Sequence, residues 1–332
     1  EVARLFVRNR GALGQLDGGL AKLRMPLYKA MEWRRRNTLT GSSRNISAHY
    51  DLGNDFFGLF LDDSMMYSSA IYNENATSLE AAQRNKLDII CQKLDLKPGE
   101  HLLEIGTGWG AMAIHAAKHY GVKVTTTTIS KEQHDLAKQR IEAEGLQNQI
   151  ELLQSDYREL NQPRADGSLP QYDKLVSVEM IEAVGHEYYP RFLKQCQNLV
   201  KPNGQILIQA ITTTDQIYDS ARKETDFIRR YIFPGGNLPT ITHLLEVATR
   251  HTDLKLFHLD DFASDYAQTL ADWRQAYWAN IDAVRQQGYS ETFIRMWDYY
   301  LAICEAAFAE HHTAVVHMLF TRPACLRERV KA

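Results

Sequence analysis

Four cysteines (Cys91, Cys196, Cys304 and Cys325) are all that the 332-residue chain contains, and no two form a Cys-x-x-Cys pair. Their wide separation excludes a disulfide framework and the common zinc clusters, and it fits a reducing compartment. No stretch approaches the roughly 18 continuous apolar residues of a membrane-spanning helix. Internal repeats and low-complexity segments are also missing. A starting methionine is absent too: the chain begins at Glu1, so a fragment or processed form is expected, with any targeting signal in what precedes. What is present is ordinary globular material, 44% hydrophobic and 24% charged, which rules out disorder and collagen. At roughly 150 residues per domain the length predicts two domains or one enlarged domain.

The net charge of −3 hides an uneven distribution. Residues 1–50 hold ten Lys/Arg against three Asp/Glu, a balance of +7, and the remainder balances at −10. A basic arm on an acidic body points to a polyanion, either nucleic acid or an anionic membrane surface, or else is a solvated basic helix. Within the arm a helix is expected near Pro26–Arg36, and Thr40–Arg44 reads as a linker or turn. Residues 1–44 are therefore expected to form a basic helical N-terminal segment, the remnant of a longer region, ahead of the main domain.

From Ser78 onward the pattern is regular. A helix starts after the capping residue Ser78 and runs to Leu94. Apolar runs at His101–Ile105, Val122–Thr127, Ile150–Gln154, Lys174–Val178 and Gln205–Ile211 then alternate with helices near Ala111–Tyr120, Lys131–Glu144 and Tyr188–Leu199. This alternation predicts a parallel sheet covered by helices on both faces. Beyond Ile211 come a turn at Phe233–Asn237, a helix near Ile241–Arg250 and a strand at Leu254–Leu259. Two aromatic-rich helices (Tyr266–Gln287 and Glu291–Glu310) and a final, antiparallel strand at Ala314–Thr321 complete the chain. The expected fold is therefore a class I methyltransferase (Rossmann-like) sheet of seven mostly parallel strands, with a helical lid or insert over about 212–290.

The strongest local signal is Leu102-Leu-Glu-Ile-Gly-Thr-Gly-Trp-Gly110 at the end of the first strand. Gly106, Gly108 and Gly110 allow a tight turn and close approach to a ligand, and the next helix offers free N–H groups. The dinucleotide fingerprint spaces its glycines G-x-G-x-x-G. This loop instead reads Glu104-x-Gly-x-Gly-x-Gly, the spacing of S-adenosylmethionine enzymes. The second strand ends in Thr125–Ser130 without the acid that usually holds ribose hydroxyls. Asp156, after the third strand, is a candidate adenine contact or a helix cap.

His49-Tyr-Asp-Leu-Gly-Asn-Asp-Phe56 and Met66-Tyr-Ser-Ser-Ala70 resemble the opening of cyclopropane-fatty-acyl-phospholipid synthases, the mycolic acid cyclopropane synthases among them. The resemblance continues through Glu104–Gly110, Thr128–Gln133, Val178–Gly185, Tyr231–Pro239, Asp265-Tyr266 and Tyr299–Phe308, covering residues 45–325. It implies methyl transfer from S-adenosylmethionine to the cis double bond of an acyl chain in a membrane phospholipid, then proton loss and ring closure. By the same resemblance Tyr67, Ser68, Gly106, Gly108, Thr128, Gln133 and Tyr157 would meet the cofactor. Ser69, Glu182, Gln209, Ile211 and Tyr266 would hold a bicarbonate ion as base.

An alkene is a weak nucleophile and its cation is captured by water, so the chemistry calls for a dry pocket with aromatic faces. Tyr67, Tyr72, Trp109, Tyr231, Phe233, Tyr266, Trp273, Tyr277 and Trp278 are candidates, half of them expected to be plain core. Ser69 stands where many members of the family carry Cys, and Ala183 and Gln209 where many carry His. A serine hydroxyl can still donate to an anion, but Gln209 cannot relay a proton at neutral pH. Glu182 and Tyr266 are the firmest catalytic candidates. Cys304 matches a cysteine once proposed as catalytic, yet its helix spacing favours packing.

These departures keep C-methylation without ring closure open, giving a methyl-branched chain or furan precursor. A catalytically silent lipid- or cofactor-binding protein is the alternative from another class. A nucleic-acid methyltransferase is disfavoured because no Asn/Asp-Pro-Pro-Tyr-type motif is present, so no nucleic acid and no metal are expected. The resemblance tips the basic arm toward anionic headgroups, with Lys22, Arg24, Lys29 and Arg34 to Arg36 as the contact. The expected setting is cytoplasmic, peripheral to the inner face of the membrane, with a homodimer as one assembly.

Overall fold

The computed structural model describes residues 2–9, 37–38, 41, 52–162 and 169–330. The expected helix near Pro26–Arg36, the basic contact residues, His49–Asp51 and all of the Thr40–Arg44 linker but Gly41 lie outside the described residues. Helices α1 (Val2–Arg8), α2 (Asn54–Phe57) and α3 (Leu79–Lys93) precede the sheet. Ser78 caps α3 as its sequence position suggests, its side chain accepting the Ala81 N–H.

Strands β1 (His101–Ile105), β2 (Lys123–Thr128), β3 (Ile150–Gln154) and β4 (Tyr172–Val178) alternate with α4 (Ala111–Tyr120) and α5 (Lys131–Ala143). Then follow α6 (Tyr189–Leu199), β5 (Val200–Thr213), the short α7 (Asp215–Ala221) and α8 (Phe227–Tyr231), and α9 (Ile241–His251). The chain closes with β6 (Lys255–Asp261), α10 (Ala263–Ala279), α11 (Ile281–Gln286), α12 (Glu291–Ala309) and β7 (Thr313–Thr321). The strand order is β3-β2-β1-β4-β5-β7-β6, parallel through β5 and antiparallel at β7. The class I methyltransferase plan is thus present in full.

Two-residue periodicity divides the strand side chains between two cores. Leu102, Val176, Leu207 and Leu319 pack with α3 and α4. Their neighbours Leu103, Leu175, Ile206 and Met318 pack with α6 and α9. A third, aromatic cluster is built from α2, α10 and α12 around Phe56, Phe57, Trp273 and Trp297. It receives Trp109 from the glycine-rich loop, so it covers the carboxyl end of the sheet where that loop lies.

The single helix expected over Tyr266–Gln287 is in fact two. α10 stops at Ala279 because Asn280 leaves helical geometry (φ −106°, ψ 19°), and α11 begins directly after it. Asn280 Nδ2 donates to the Ala276 and Leu59 carbonyls, tying the break to the chain ahead of the sheet. Asn competes with helix continuation by such local bonds. The two short helices α7 and α8 are absent from the sequence reading, having too few turns to show a period.

Between Tyr172/Val200 and Lys174/Gln205 the β4–β5 register shifts, and Gly204 sits in that irregularity. A Cβ at Gly204 would lie 2.2 Å from Val200 Cγ1 and 2.7 Å from the Asp173 carbonyl oxygen. Gly204→Ala is expected to destabilise the fold by about 1–3 kcal/mol. A lower denaturation midpoint at unchanged slope checks this.

Candidate active site

Parallel strands bring their carboxyl ends to one edge, and the segments that follow them make the site. After β1 the chain turns through Gly106, Gly108 and Gly110 at φ +101°, +52° and +92°. A Cβ on Gly106 would press Met180 at 3.3 Å, whereas the space at Gly108 is open for 4 Å. Gly110 ends the loop as the N-cap of α4, which no side chain caps. The loop is therefore a cradle of bare backbone with free N–H groups beside it, and it fits the amino-acid end of S-adenosylmethionine.

Other predicted cofactor residues gather around this loop. Thr128 ends β2, and its hydroxyl donates to Gln133 Oε1 at 3.1 Å. Tyr67 meets Tyr300 hydroxyl to hydroxyl at 2.9 Å and faces Trp273 at 5.2 Å. Ser68 is buried, with its Oγ taking a hydrogen bond from Lys86 Nζ at 2.8 Å. Tyr157 follows β3 and packs edge-on against Phe192. Asp156 caps the short turn after β3, accepting from the Arg158 backbone N–H at 2.9 Å and pairing with the Arg158 guanidinium at 2.5 Å.

After β4 lie two carboxyls, Glu179 and Glu182. Three of the five residues expected to hold bicarbonate, Ser69, Gln209 and Tyr266, converge instead on Glu179, which the sequence reading did not single out. Its Oε1 accepts from the Ser69 backbone N–H at 2.9 Å and from Gln209 Nε2 at 2.7 Å. Its Oε2 accepts from the Tyr266 hydroxyl at 2.7 Å. The Ser69 hydroxyl, expected to face the anion, donates to the Ala70 carbonyl at 2.9 Å. With these donors engaged by a side-chain carboxylate, the residues present do not fit a free bicarbonate ion. The signal was available: Val178-Glu-Met-Ile-Glu182 carries two acids, the first directly beyond the strand.

Glu182 is held differently. Its Oε1 accepts from the Ile211 N–H at 2.5 Å, while Oε2 is buried with no hydrogen-bond partner among the described residues. Burial, and then the nearby Glu179 charge, push its carboxyl up to about 8. It is thus predominantly protonated at neutral pH, with an O–H to donate. Burial also raises the Glu179 carboxyl, against the pull of the Ser69, Tyr266 and Gln209 donors and of Lys86. Lys86 is fully buried on α3, another residue the sequence reading passed over, and desolvation lowers its ammonium to about 7.

Aromatic rings wall the other side. Tyr67, Phe57, Phe233 and Trp273 surround one another, and Tyr266 stacks on Phe308 at 4.3 Å. Trp273 and Tyr277 are fully buried, whereas Tyr231 and Trp278 are exposed. Cys304 packs against this cluster, and burial pushes its thiol up to about 12. That disfavours the thiolate a nucleophile would need.

Glu104 lies under the glycine loop, buried, accepting from the Thr126 hydroxyl at 2.6 Å. Burial raises its carboxyl from 4.5 to about 8. Between those values the native state keeps a proton that the unfolded chain has released, so stability falls as pH rises through this window, by up to about 1.4 kcal/mol per pH unit. Glu104→Gln is expected to flatten that slope in the cofactor-free protein. Denaturation midpoints collected from pH 5 to 8 check it.

Comparison with known proteins agrees with this geometry. The model of the family described as mycolic acid cyclopropane synthetase matches residues 37–318. A tuberculostearic acid methyltransferase of Mycobacterium tuberculosis is 40% identical over 286 residues, covering 84% of this chain and 65% of the relative. The cyclopropane-fatty-acyl-phospholipid synthase of Escherichia coli is 38% identical over 279 residues, covering 82% of this chain and 66% of that protein. The chain therefore spans about two thirds of the length of these curated relatives. Among solved structures, a cyclopropane synthase from Mycobacterium tuberculosis superposes with a TM-score of 0.75 at 30% identity, over 84% of this chain and 98% of the other. A mycolic acid cyclopropane synthase complexed with SAH and CTAB gives 0.76 at 30% identity, with the same coverage. On its sequence, its sheet order and its glycine loop, the chain belongs to the mycolic acid cyclopropane synthetase family.

Proposed function

We propose that the protein transfers the methyl group of S-adenosylmethionine to the cis double bond of an unsaturated acyl chain in a membrane phospholipid, and that the Glu179 carboxylate accepts the proton the methylated chain then loses, closing a cyclopropane ring. The convergence of Ser69, Gln209 and Tyr266 on Glu179, one residue beyond β4 and beside the glycine loop, carries this reading. S-adenosylmethionine supplies, when bound, the electrophilic methyl. Gly106, Gly108, Gly110, Tyr67, Ser68, Thr128 and Gln133 would hold it, and the aromatic wall excludes water from the cation. Tyr67 and Trp273 present ring faces that favour positive charge. No bicarbonate step is needed, because a resident carboxylate takes its place.

C-methylation without ring closure is the second reading, and one observation favours it. The relative with 40% identity is itself described as a methyltransferase. No described helix is long and apolar enough to cross a membrane. The substrate would thus be reached from the surface, with the protein peripheral to the inner face of the cytoplasmic membrane and the basic residues of 22–36 meeting anionic headgroups. A homodimer is compatible with this arrangement.

Glu179→Gln keeps the size of the side chain and removes its basicity. Turnover is expected to fall about 10²- to 10⁴-fold while S-adenosylmethionine binding, followed by calorimetry, is retained. Full S-adenosylhomocysteine release on unsaturated liposomes by this variant would overturn the base assignment. Product identity is read with a trideuterated methyl donor. A cyclopropane keeps two of the three deuteriums, and a product retaining all three establishes the second reading.

A further inference from the structure

A row of polar groups runs inward through the sheet to Gln209, and the proposed reaction does not use it. Antiparallel register places Gln209 of β5 opposite His317 of β7, and His317 opposite Asp260 of β6. Their side chains meet in sequence. His317 Nε2 lies 2.9 Å from Gln209 Oε1, and His317 Nδ1 lies 2.8 Å from Lys93 Nζ at the end of α3. Lys93 pairs in turn with Asp260, whose other oxygen meets His258 Nε2 at 2.7 Å. Gln209 and His317 are fully buried, whereas the side chains of Asp260 and His258 are about one-third exposed, at 35% and 34%. Polar groups so deep in a run of Val, Met, Leu and Phe are costly unless each is paired.

The chemistry at the outer end sets the direction of every bond. An ammonium only donates, so His317 Nδ1 must accept from Lys93, and the ring proton therefore sits on Nε2. That N–H requires the oxygen of the Gln209 amide opposite it. The amide nitrogen is thereby turned to Glu179, where it donates at 2.7 Å. A flipped amide would set its oxygen against the carboxylate and its NH₂ against the ring N–H. Burial and the Lys93 and Lys86 charges keep the imidazole neutral, far below its usual titration range. The Phe262 ring, 4.7 Å away, fixes its plane.

We infer that His317 and Lys93 are positioning residues which, through Gln209, hold Glu179 in its ionised, proton-accepting form. The inference rests on the reading of Glu179 as the base. Neither residue reaches the reacting atoms. Glu179 is also faced by Lys86 from α3, Glu182 from its own loop, Tyr266 from α10 and Tyr300 from α12. His317 is faced further by His258 from β6. All of these stay in place when His317 is changed.

The test uses the full chain. His317→Leu removes the donor and keeps the volume. Its kcat should fall about tenfold at pH 7, and the acidic limb of kcat should move up by about 1 pH unit, with KM for S-adenosylmethionine unchanged. His317→Gln, which offers an amide N–H to Gln209, should bring the limb back toward the parent. If His317→Leu does not fold, Asp260→Asn at the solvent edge carries the test, with a shift in the same direction. Isotope-edited infrared spectra of the Glu179 carboxylate, assigned by difference against Glu179→Gln, read its ionisation without any turnover. An unchanged Glu179 titration in His317→Leu or Asp260→Asn overturns the inference, even where activity is lost. A shifted titration together with full turnover by Glu179→Gln leaves the positioning intact and removes only the base reading.

Discussion

A carboxylate cannot stand bare in an apolar cleft, and the arrangement of this site follows from satisfying the one on Glu179. Leaving it unpaired would cost several kcal/mol, and the group would protonate instead. Four separate parts of the chain prevent that. Ser69 comes from the segment before α3, Lys86 from α3 itself, Gln209 from β5 and Tyr266 from α10. None of these is near Glu179 in sequence, so the base exists only once the sheet, α3 and α10 have assembled. With Glu179 as the proposed base, catalytic competence and folding would be coupled through this single group.

The balance struck is a narrow one. Desolvation raises the Glu179 carboxyl and lowers the Lys86 ammonium, so the charge on each is sustained by the other. A fully solvated carboxylate would be too weak a base to assist the loss of a proton from a methylated chain. A fully desolvated one without donors would be neutral and no base at all. Next to it, Glu182 accepts the Ile211 N–H, and burial with the added repulsion of Glu179 pushes its carboxyl up to about 8. Two carboxyls three residues apart thus sit among different donors and charges, the kind of difference that lets adjacent acids take separate roles.

The sheet was legible in the sequence because both of its faces are buried. Runs such as Ile206–Ile208 and Val315-Val316 are apolar throughout, and Ser78 announces α3 by its capping chemistry. The glycine loop was legible for a similar reason, since its backbone demands are local. The α10 break at Asn280 was not, because that residue's bond to the Leu59 carbonyl joins positions 221 apart. Glu179 is the sharper case. Resemblance assigned Ser69, Gln209 and Tyr266 to an external ion, whereas they meet a side-chain carboxylate, since motif matching transfers positions and not the occupant of the space between them. His317 carries no signal in sequence, since its partners come only from the register of β5, β6 and β7.

A resident base changes what decides the product. A free ion can settle wherever the cationic chain leaves room, whereas Glu179 accepts at one point, set by Ser69, Gln209 and Tyr266. Which hydrogen leaves then depends on how the acyl chain lies against the opposite wall of Tyr67, Phe57, Phe233 and Trp273. Ring closure requires the transferred methyl to face the carboxylate while its carbon stays within bonding reach of the cation. A small rotation of the chain presents a neighbouring hydrogen instead and leaves a branched product. On the proposed reading, the shape of the aromatic wall would decide between ring and branch, and the polar half of the site would supply the same base to either outcome.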